Sequence, residues 1–396
     1  MKILHTVEFY YPSTGGMQEV VKQLSERLAK TWHDVTVATQ YNSERKKTVV
    51  NGVKIEQFRI SGNAIRGYEG RELEIKRYKN FLIQSDFDII TNFAAQQWAT
   101  DLVLPILDKT KTKKVFVPTG FSGLYLPEYR EYFEEMKCQM KKYDMNIFFS
   151  GNYRDMNFAK ENRVKKRVVI PGGAAEEEFL SKNNINIRKK LGIPQNHFLI
   201  LLVGSHTGAK GHQEAIEIFR KSKIENATLL IIGNSFGGGC IKDCSFKEKI
   251  FNLSPQRLFD KKKLLIVSLV RQETINAYKQ ADLFLFPSNI ECSPLVLFEC
   301  MASKTPFLVT DVGNSKEIIA WSKSGLLLPT VIDKSGYSKV KIDESIKILE
   351  NICRHPPKRL QMAESGFTAW KKKFTWGKII QQYEQVYQQL VLEANA

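Results

Sequence analysis

The sequence predicts an α/β protein made of two successive doubly wound units, and three observations carry that prediction. Short apolar runs of strand length alternate with stretches of helical periodicity, the pattern of βα units around a parallel sheet. Near residue 181 this pattern lapses into Ser-Lys-Asn-Asn-Ile-Asn-Ile-Arg-Lys-Lys, the best linker candidate, and beyond residue 190 it begins again. The chain has 396 residues, too many for one comfortable core, so two domains of ordinary size are the natural division.

In the first half the strand-like runs are residues 3–9, 35–39, 53–60, 87–93, 114–117, 146–149 and 167–170. Between the first two, residues 17–29 place Val20, Val21, Leu24 and Leu28 on one helical face. Residues 128–142 read as a highly charged helix facing the surface. In the second half the strands are 198–203, 228–232, 264–268, 283–286 and 307–310. From Asp343 the tail reads as helical throughout. Its last helix, 376–393, lines up Ile379, Ile380, Tyr383, Val386, Tyr387 and Leu390 on one face. Domains are expected over 1–180 and 181–375.

With 43% hydrophobic and 26% charged residues, the composition is globular and not disordered. No apolar run approaches the ~18–20 residues that span a bilayer. Residues 1–9 pass at once into a Gly-containing turn and a helix, unlike a signal peptide, so a cytoplasmic location is expected. The net charge is +17, with 59 Lys and Arg against 42 Asp and Glu. Such an excess suggests polyanionic company: nucleic acid, anionic lipid head groups or a phosphate-bearing ligand. No helix-turn-helix, zinc module or aromatic-rich RNA motif accompanies it, which argues against nucleic acid. A basic–aromatic stretch, residues 66–81, sets Arg71, Lys76, Arg77 and Lys79 beside Tyr68, Tyr78 and Phe81 and suits weak docking on an anionic membrane. The six cysteines lack the density of a disulfide scaffold. Cys240 and Cys244 flank Ile-Lys-Asp, but zinc wants four ligands and no second pair is visible. Reduced thiols and no metal are the expectation.

The chemistry concentrates in residues 281–302. A buried strand ends at Pro287, a loop presents Glu291, and a helix then starts with Ser293 as N-cap and Pro294 at the first helical position. In open α/β sheets ligands bind beyond the carboxyl ends of strands, and the free amides of Leu295 and Val296 suit a phosphate there. Glu299 lies one to two turns further on. Two carboxylates beside a phosphate site would be self-defeating unless they take neutral hydroxyls, such as those of a ribose or a sugar. A capped helix with incidental acids would present the same residues. A second motif, Gly204-Ser205-His206-Thr207-Gly208-Ala209-Lys210-Gly211, follows a strand and precedes a helix. Its glycines let backbone approach a ligand and Lys210 supplies charge for a diphosphate; without a Ser or Thr after the lysine it is not a Walker loop. The third, Gly15-Gly16 between strand and helix, suits a phosphate or an ordinary tight turn.

With these motifs in order, the chain resembles the retaining glycosyltransferases of family 4, of the bacterial cell-surface polysaccharide type, over nearly its whole length. The most specific element is the pair Glu291 and Glu299, separated by seven residues. Around it Ala281-Asp282, Pro287-Ser288, Met301-Ala302, Pro306, Thr310-Asp311-Val312-Gly313, Glu317-Ile318, Gly325 to Pro329 and Phe374-Thr375-Trp376 follow the family's order. The resemblance implies the GT-B architecture: two facing Rossmann-like domains with a cleft between them, the final helix, 376–396, packing back on the N-terminal one. It implies a nucleotide-sugar donor held by the C-terminal domain, with Glu291 on the sugar, Glu299 on the ribose, and Lys210, Gly16 and the backbone of Ser293, Pro294, Leu295 and Val296 on the diphosphate. The acceptor, a saccharide or a lipid-linked one, would lie in the N-terminal domain, and no metal or cofactor would be required. The sequence departs from the family where an arginine often follows the first glycine of the lysine loop. Ser205 stands there, with His206 a candidate substitute. A histidine often found beside the reacting sugar would fall near Thr119. Two other functions compete, a GT-B nucleotide-sugar epimerase without a separate acceptor site and a basic nucleic-acid-binding protein.

Overall fold

The structure is a computed structural model of the chain that describes residues 1–234 and 239–395, the side chains of 256–258 and 395 excepted. It contains two compact units, Met1–Gly172 together with Trp376–Ala396, and Gly173–Thr375.

The first unit holds β1 (Lys2–Thr6), α1 (Gly16–Lys30), β2 (Asp34–Gln40), β3 (Val49–Val50), β4 (Val53–Phe58), β5 (Ile89–Phe93), β6 (Lys113–Val117), β7 (Met145–Phe148) and β8 (Arg167–Val169). They form one eight-stranded sheet in the order β8-β7-β6-β5-β1-β2-β4-β3. Every pairing is parallel except that of the short edge strand β3 with β4. Helix α1 buries Val20, Val21, Leu24 and Leu28, the face its periodicity marks. On the sheet, Phe58, Tyr78 and Trp98 pack edge to face, with Phe58–Tyr78 and Tyr78–Trp98 centroids 4.9 and 5.0 Å apart. The charged helix expected at the surface is amphipathic: Arg130–Lys142 buries Tyr132, Phe133, Met136 and Met140.

The last helix, Trp376–Asn395, belongs to this unit and packs on α1. It buries Ile379, Ile380, Tyr383, Tyr387 and Leu390. The Tyr387 hydroxyl meets Thr91 Oγ1 at 2.7 Å and His5 Nε2 at 3.3 Å, and Glu384 accepts from His33 Nε2 at 2.8 Å. The tail before it is interrupted. Helix Ile342–Cys353 ends before His355, whose backbone (φ −120°, ψ 73°) leaves the helical region because Pro356 follows. Helix Pro356–Ala369 then runs into a π-helical turn, Trp370–Phe374.

The second unit holds β9 (Phe198–Val203), α2 (His212–Lys221), β10 (Ala227–Ile232), α3 (Ile241–Leu253), β11 (Lys263–Val267), α4 (Arg271–Gln280), β12 (Leu283–Phe286), α5 (Leu295–Ala302), β13 (Phe307–Thr310) and β14 (Gly325–Leu328). The sheet runs β11-β10-β9-β12-β13-β14, all parallel. Counted from its first strand this is the order 3-2-1-4-5-6 of a dinucleotide-binding sheet, with its switch point between β9 and β12. The polar stretch 181–190 lies inside this unit. Ile187 is fully buried, and the amides of Ile185 and Ile187 donate to Asn276 Oδ1 and Gln280 Oε1 of α4, both at 3.0 Å. Two isoleucines at alternate positions dock what the composition alone presents as a linker. No helix among the described residues is long and apolar enough to cross a membrane.

Candidate functional site

At the switch point of the second unit the chain leaves β9 through residues 204–211 and leaves β12 through residues 287–294. The two loops are locked together by backbone. Gly211 has φ 73°, and a Cβ there would collide with the Pro287 carbonyl, so only glycine allows this approach. The Ala209 carbonyl accepts from Asn289 N at 2.8 Å and from Ser288 Oγ at 3.1 Å. That docking delivers Lys210 Nζ to 2.6 Å from Glu291 Oε1, which also accepts from Ser288 Oγ at 3.0 Å. The side chains are 28% and 11% exposed, so the pair is shielded yet reachable.

Beyond Glu291, Asn314 N donates to the Cys292 carbonyl at 2.9 Å and Asn314 Nδ2 to Ser293 Oγ at 3.1 Å. This corrects the expected cap. Helix α5 begins at Leu295 with Pro294 as the capping residue (φ −70°, ψ 104°), because Asn314 engages the Ser293 hydroxyl. The first-turn amides of Leu295 and Val296 have no acceptor within the helix, as at any helix start. Glu299, on the same helix, is buried, with Oε1 2.6 Å from Arg271 NH1; Arg271 NH2 also holds Glu178 Oε2 at 2.6 Å. Burial pushes the Glu299 carboxyl above its ordinary value, and Arg271 beside it pulls the other way. Arg271 escaped sequence reading because it opens α4 outside any motif. Its one signal was a cation directly after a strand of the nucleotide-type sheet.

The loop's other members face elsewhere. Ser205 is half-buried and its carbonyl accepts from Thr207 N at 2.8 Å. His206 does not replace the missing arginine. It is fully buried, stacked on His212 with ring centroids 4.2 Å apart, and burial holds its pKa below the usual value. A neutral, buried imidazole supplies no charge to a diphosphate.

In the first unit, Gly15 is extended at the start of α1 and Gly16 is its first residue, with open space where a Cβ would stand. Arg45 braces the preceding loop by donating to the carbonyls of Tyr10 and Tyr11 at 3.0 and 2.5 Å. A pocket of about 260 Å³ lies beyond β5 and β6, lined among others by Asn63, Arg66, Gln96, Gln97, Thr119 and Ser122. Its walls hold an unusual backbone: Ala94, Gln96, Thr119 and Phe121 have φ of 62°, 62°, 63° and 50°. Left-handed residues other than glycine carry strain and cluster where ligands bind. Buried carboxyls hold these turns. Asp101 accepts from Gln96 N, Tyr132 Oη and Ala64 N at 3.2, 2.7 and 3.1 Å, and Asp155 accepts from Gly120 N at 2.8 Å. Burial pushes both up to about 6. Glu8, just past β1, rises to about 7, through burial first and the nearby Asp101 second. Only Thr119 of this pocket was expected from sequence, because isolated acids and glutamines show no spacing.

The basic–aromatic stretch is less open than its composition suggests. Tyr78 is fully buried, Lys76 pairs with Glu72 at 2.8 Å, and Arg77 pairs with Glu56 and Glu74 at 2.6 and 3.1 Å.

Comparison with known proteins gives this geometry a context. Residues 183–357 match the family described as Glycosyl transferases group 1. Over 381 residues the chain is 25% identical to N-acetyl-alpha-D-glucosaminyl L-malate synthase of Bacillus anthracis, covering 95% of this chain and 94% of that one. It is 23% identical to the lipopolysaccharide glucosyltransferase WaaG of Escherichia coli, covering 90% and 91%. Among solved structures, sucrose-phosphate synthase of Thermosynechococcus elongatus superposes with a TM-score of 0.78 at 18% identity, covering 99% of each chain. Anabaena HepE, in complex with UDP and glucose, does so with 0.75 at 15% identity, covering 98% of this chain and all of that one.

Proposed function

We propose that this protein, a glycosyltransferase with the GT-B fold, transfers a sugar from a nucleoside-diphosphate donor to a saccharide or lipid-linked acceptor with retention of configuration, in assembly of a surface polysaccharide. The observation that carries the reading is the Lys210–Glu291 pair beyond the switch point, next to the first turn of α5 and Glu299. A cation and a carboxylate that hold each other without ligand are parted by a donor. The diphosphate takes Lys210, and a sugar hydroxyl takes Glu291. The amides of Leu295 and Val296 receive phosphate oxygens, which the helix start favours electrostatically. Glu299, steadied by Arg271, accepts from the ribose hydroxyls. As the acceptor hydroxyl bonds to the anomeric carbon, the bond to the diphosphate oxygen breaks and the hydroxyl proton leaves with the diphosphate. Lys210 and the helix start stabilise the charge that develops there, so the transfer calls for no metal.

The UDP in HepE supports the donor class. A lipopolysaccharide 1,2-N-acetylglucosaminetransferase of Salmonella typhimurium, 21% identical over 55% of this chain, supports the acceptor class. The pocket of the first unit, with its amide and hydroxyl side chains, suits an acceptor rich in hydroxyls.

Two measurements test the reading. Labelled nucleotide-sugars incubated with saccharide and lipid-linked acceptors should give a product whose anomeric configuration, read by NMR, matches the donor's; inversion would remove the retaining assignment. Glu299→Ala should weaken the donor by about ten- to 150-fold in calorimetry, since two hydroxyls lose a charged acceptor worth roughly 1.5–3 kcal/mol. Unchanged affinity would sink the ribose assignment.

A further inference from the structure

The two cysteines of the second unit that spacing left without partners find them in the fold. Cys240 is the capping residue of α3, and Cys244 lies one turn on, its amide donating to the Cys240 carbonyl at 2.9 Å. Across from them the loop after β9 brings His206, and α2 begins with His212. Ligand atoms of His206, Cys240 and Cys244 all lie within 4.8 Å of one another. His212 lies stacked on His206 beside this group: Cys240 Sγ is 3.5 Å from His206 Nδ1 and 3.6 Å from His212 Nδ1. None of the four side chains reaches solvent appreciably; His206 and Cys244 are fully buried, His212 is 1% exposed and Cys240 7%.

We propose that His206, Cys240 and Cys244 form a structural zinc site, with His212 becoming the fourth ligand once its ring turns out of its stack on His206. Zinc binds thiolate at about 2.3 Å and imidazole at about 2.0–2.1 Å in a tetrahedron, which sets a sulfur-to-nitrogen edge of about 3.5 Å, the separation found on both histidines. The spacings, three residues between the cysteines and five between the histidines, fall in the range of structural zinc ligands. His212 already holds a ligand's tautomer. Its Nε2 lies 3.0 Å from the Gly204 carbonyl, and donating there leaves the Nδ1 lone pair directed at Cys240. His206 Nε2 is buried without a partner, so the second imidazole owes its position to no hydrogen bond at that atom. The backbone is shaped to bring the halves together: a Cβ on Gly239 would collide with the His206 carbonyl. Binding converts both thiols to thiolates and releases two protons, leaving the divalent ion neutralised in a closed, buried site.

The two histidines bracket Lys210 in sequence, so the ion would staple the lysine loop to the start of α3. The site stands on its own ligands and does not depend on the donor assignment. Untagged protein, loaded with zinc under reducing conditions and desalted, should carry one zinc per chain by elemental mass spectrometry. The Cys240→Ser/Cys244→Ser double variant should fall to background. A wild-type chain that stays metal-free after loading overturns the proposal, as does a double variant that keeps its zinc. If that variant does not fold, cobalt in the wild-type protein decides. A thiolate-to-cobalt charge-transfer band with tetrahedral d–d absorption supports the site, and a weak octahedral spectrum overturns it.

Discussion

Two regions beyond strand ends carry the polar chemistry of this molecule, and they are built in opposite ways. In the second unit the groups are ionic and already matched, Lys210 to Glu291 and Arg271 to Glu299 and Glu178. In the first unit the polar wall of the pocket is mostly amides and hydroxyls, with Arg66 among them, and the nearby carboxyls Asp101 and Asp155 are buried and pushed towards neutrality. The contrast suits the proposed ligands. A diphosphate would bring its own charge and displace a partner, whereas a hydroxyl-rich acceptor would call for neutral groups held at fixed angles.

The largest expected effect breaks the ionic side of that contrast. Glu291→Ala should lower kcat by about 10²–10³ while the donor KM moves far less, if its contact to the sugar strengthens in the transition state. A variant with altered KM and normal kcat would make Glu291 a binding residue only. Next, Lys210→Ala should weaken donor and free nucleoside diphosphate alike, by about tenfold or more, with little effect on the bare nucleoside. Equal losses for all three would show that the lysine organises the loop and leaves the phosphate to others.

The neutral side is sharpened by pH. A carboxyl whose folded pKa lies above its unfolded value binds more protons when folded, so its contribution to stability is lost as pH rises through that window. For Asp101, raised from 3.8 to about 6, the window is about pH 4 to 6. Melting temperature should therefore fall across it more steeply in wild type than in Asp101→Asn, by on the order of a few degrees. Parallel curves would mean that Asp101 titrates normally. The smallest effect concerns the surface of residues 66–81. Neutralising Arg71, Lys76, Arg77 and Lys79 together should abolish a weak, salt-reversible co-sedimentation with anionic vesicles; since Lys76 and Arg77 are ion-paired, that binding is expected only at low ionic strength. Wild type remaining in the supernatant there would leave the acceptor as the sole route to a membrane.

The same contrast explains what was legible in the sequence. Strands β9, β12 and β13 match their apolar runs residue for residue, since a parallel strand buried on both faces leaves little choice of residue. Lys210, Glu291 and Glu299 stood out too, because they sit in short contiguous motifs at or just past strand-to-helix turns, but their ion pairs did not. The pocket was not legible: Asp101 reaches Ala64 and Tyr132, and Asp155 reaches Gly120, across more than 30 residues, and a left-handed Thr119 looks like any threonine. Arg271 reaches Glu299 from a different βα unit, a contact no local pattern encodes. The histidine–cysteine cluster was missed for a related reason, its pairs being separated by the whole of α2 and β10.

The last helix gives the order of synthesis a meaning. Tyr387 completes hydrogen bonds to Thr91 and His5 inside the first unit, yet it leaves the ribosome only after all of Gly173–Thr375. At about 5–20 residues per second, that intervening stretch takes on the order of 10–40 s to make. Throughout this interval the nascent first unit has a vacant slot where Ile379, Tyr383 and Leu390 belong, an apolar surface open to chaperones and proteases. The second unit, contiguous in the chain, can close its core first, so the half of the protein that is made first is the half that is finished last.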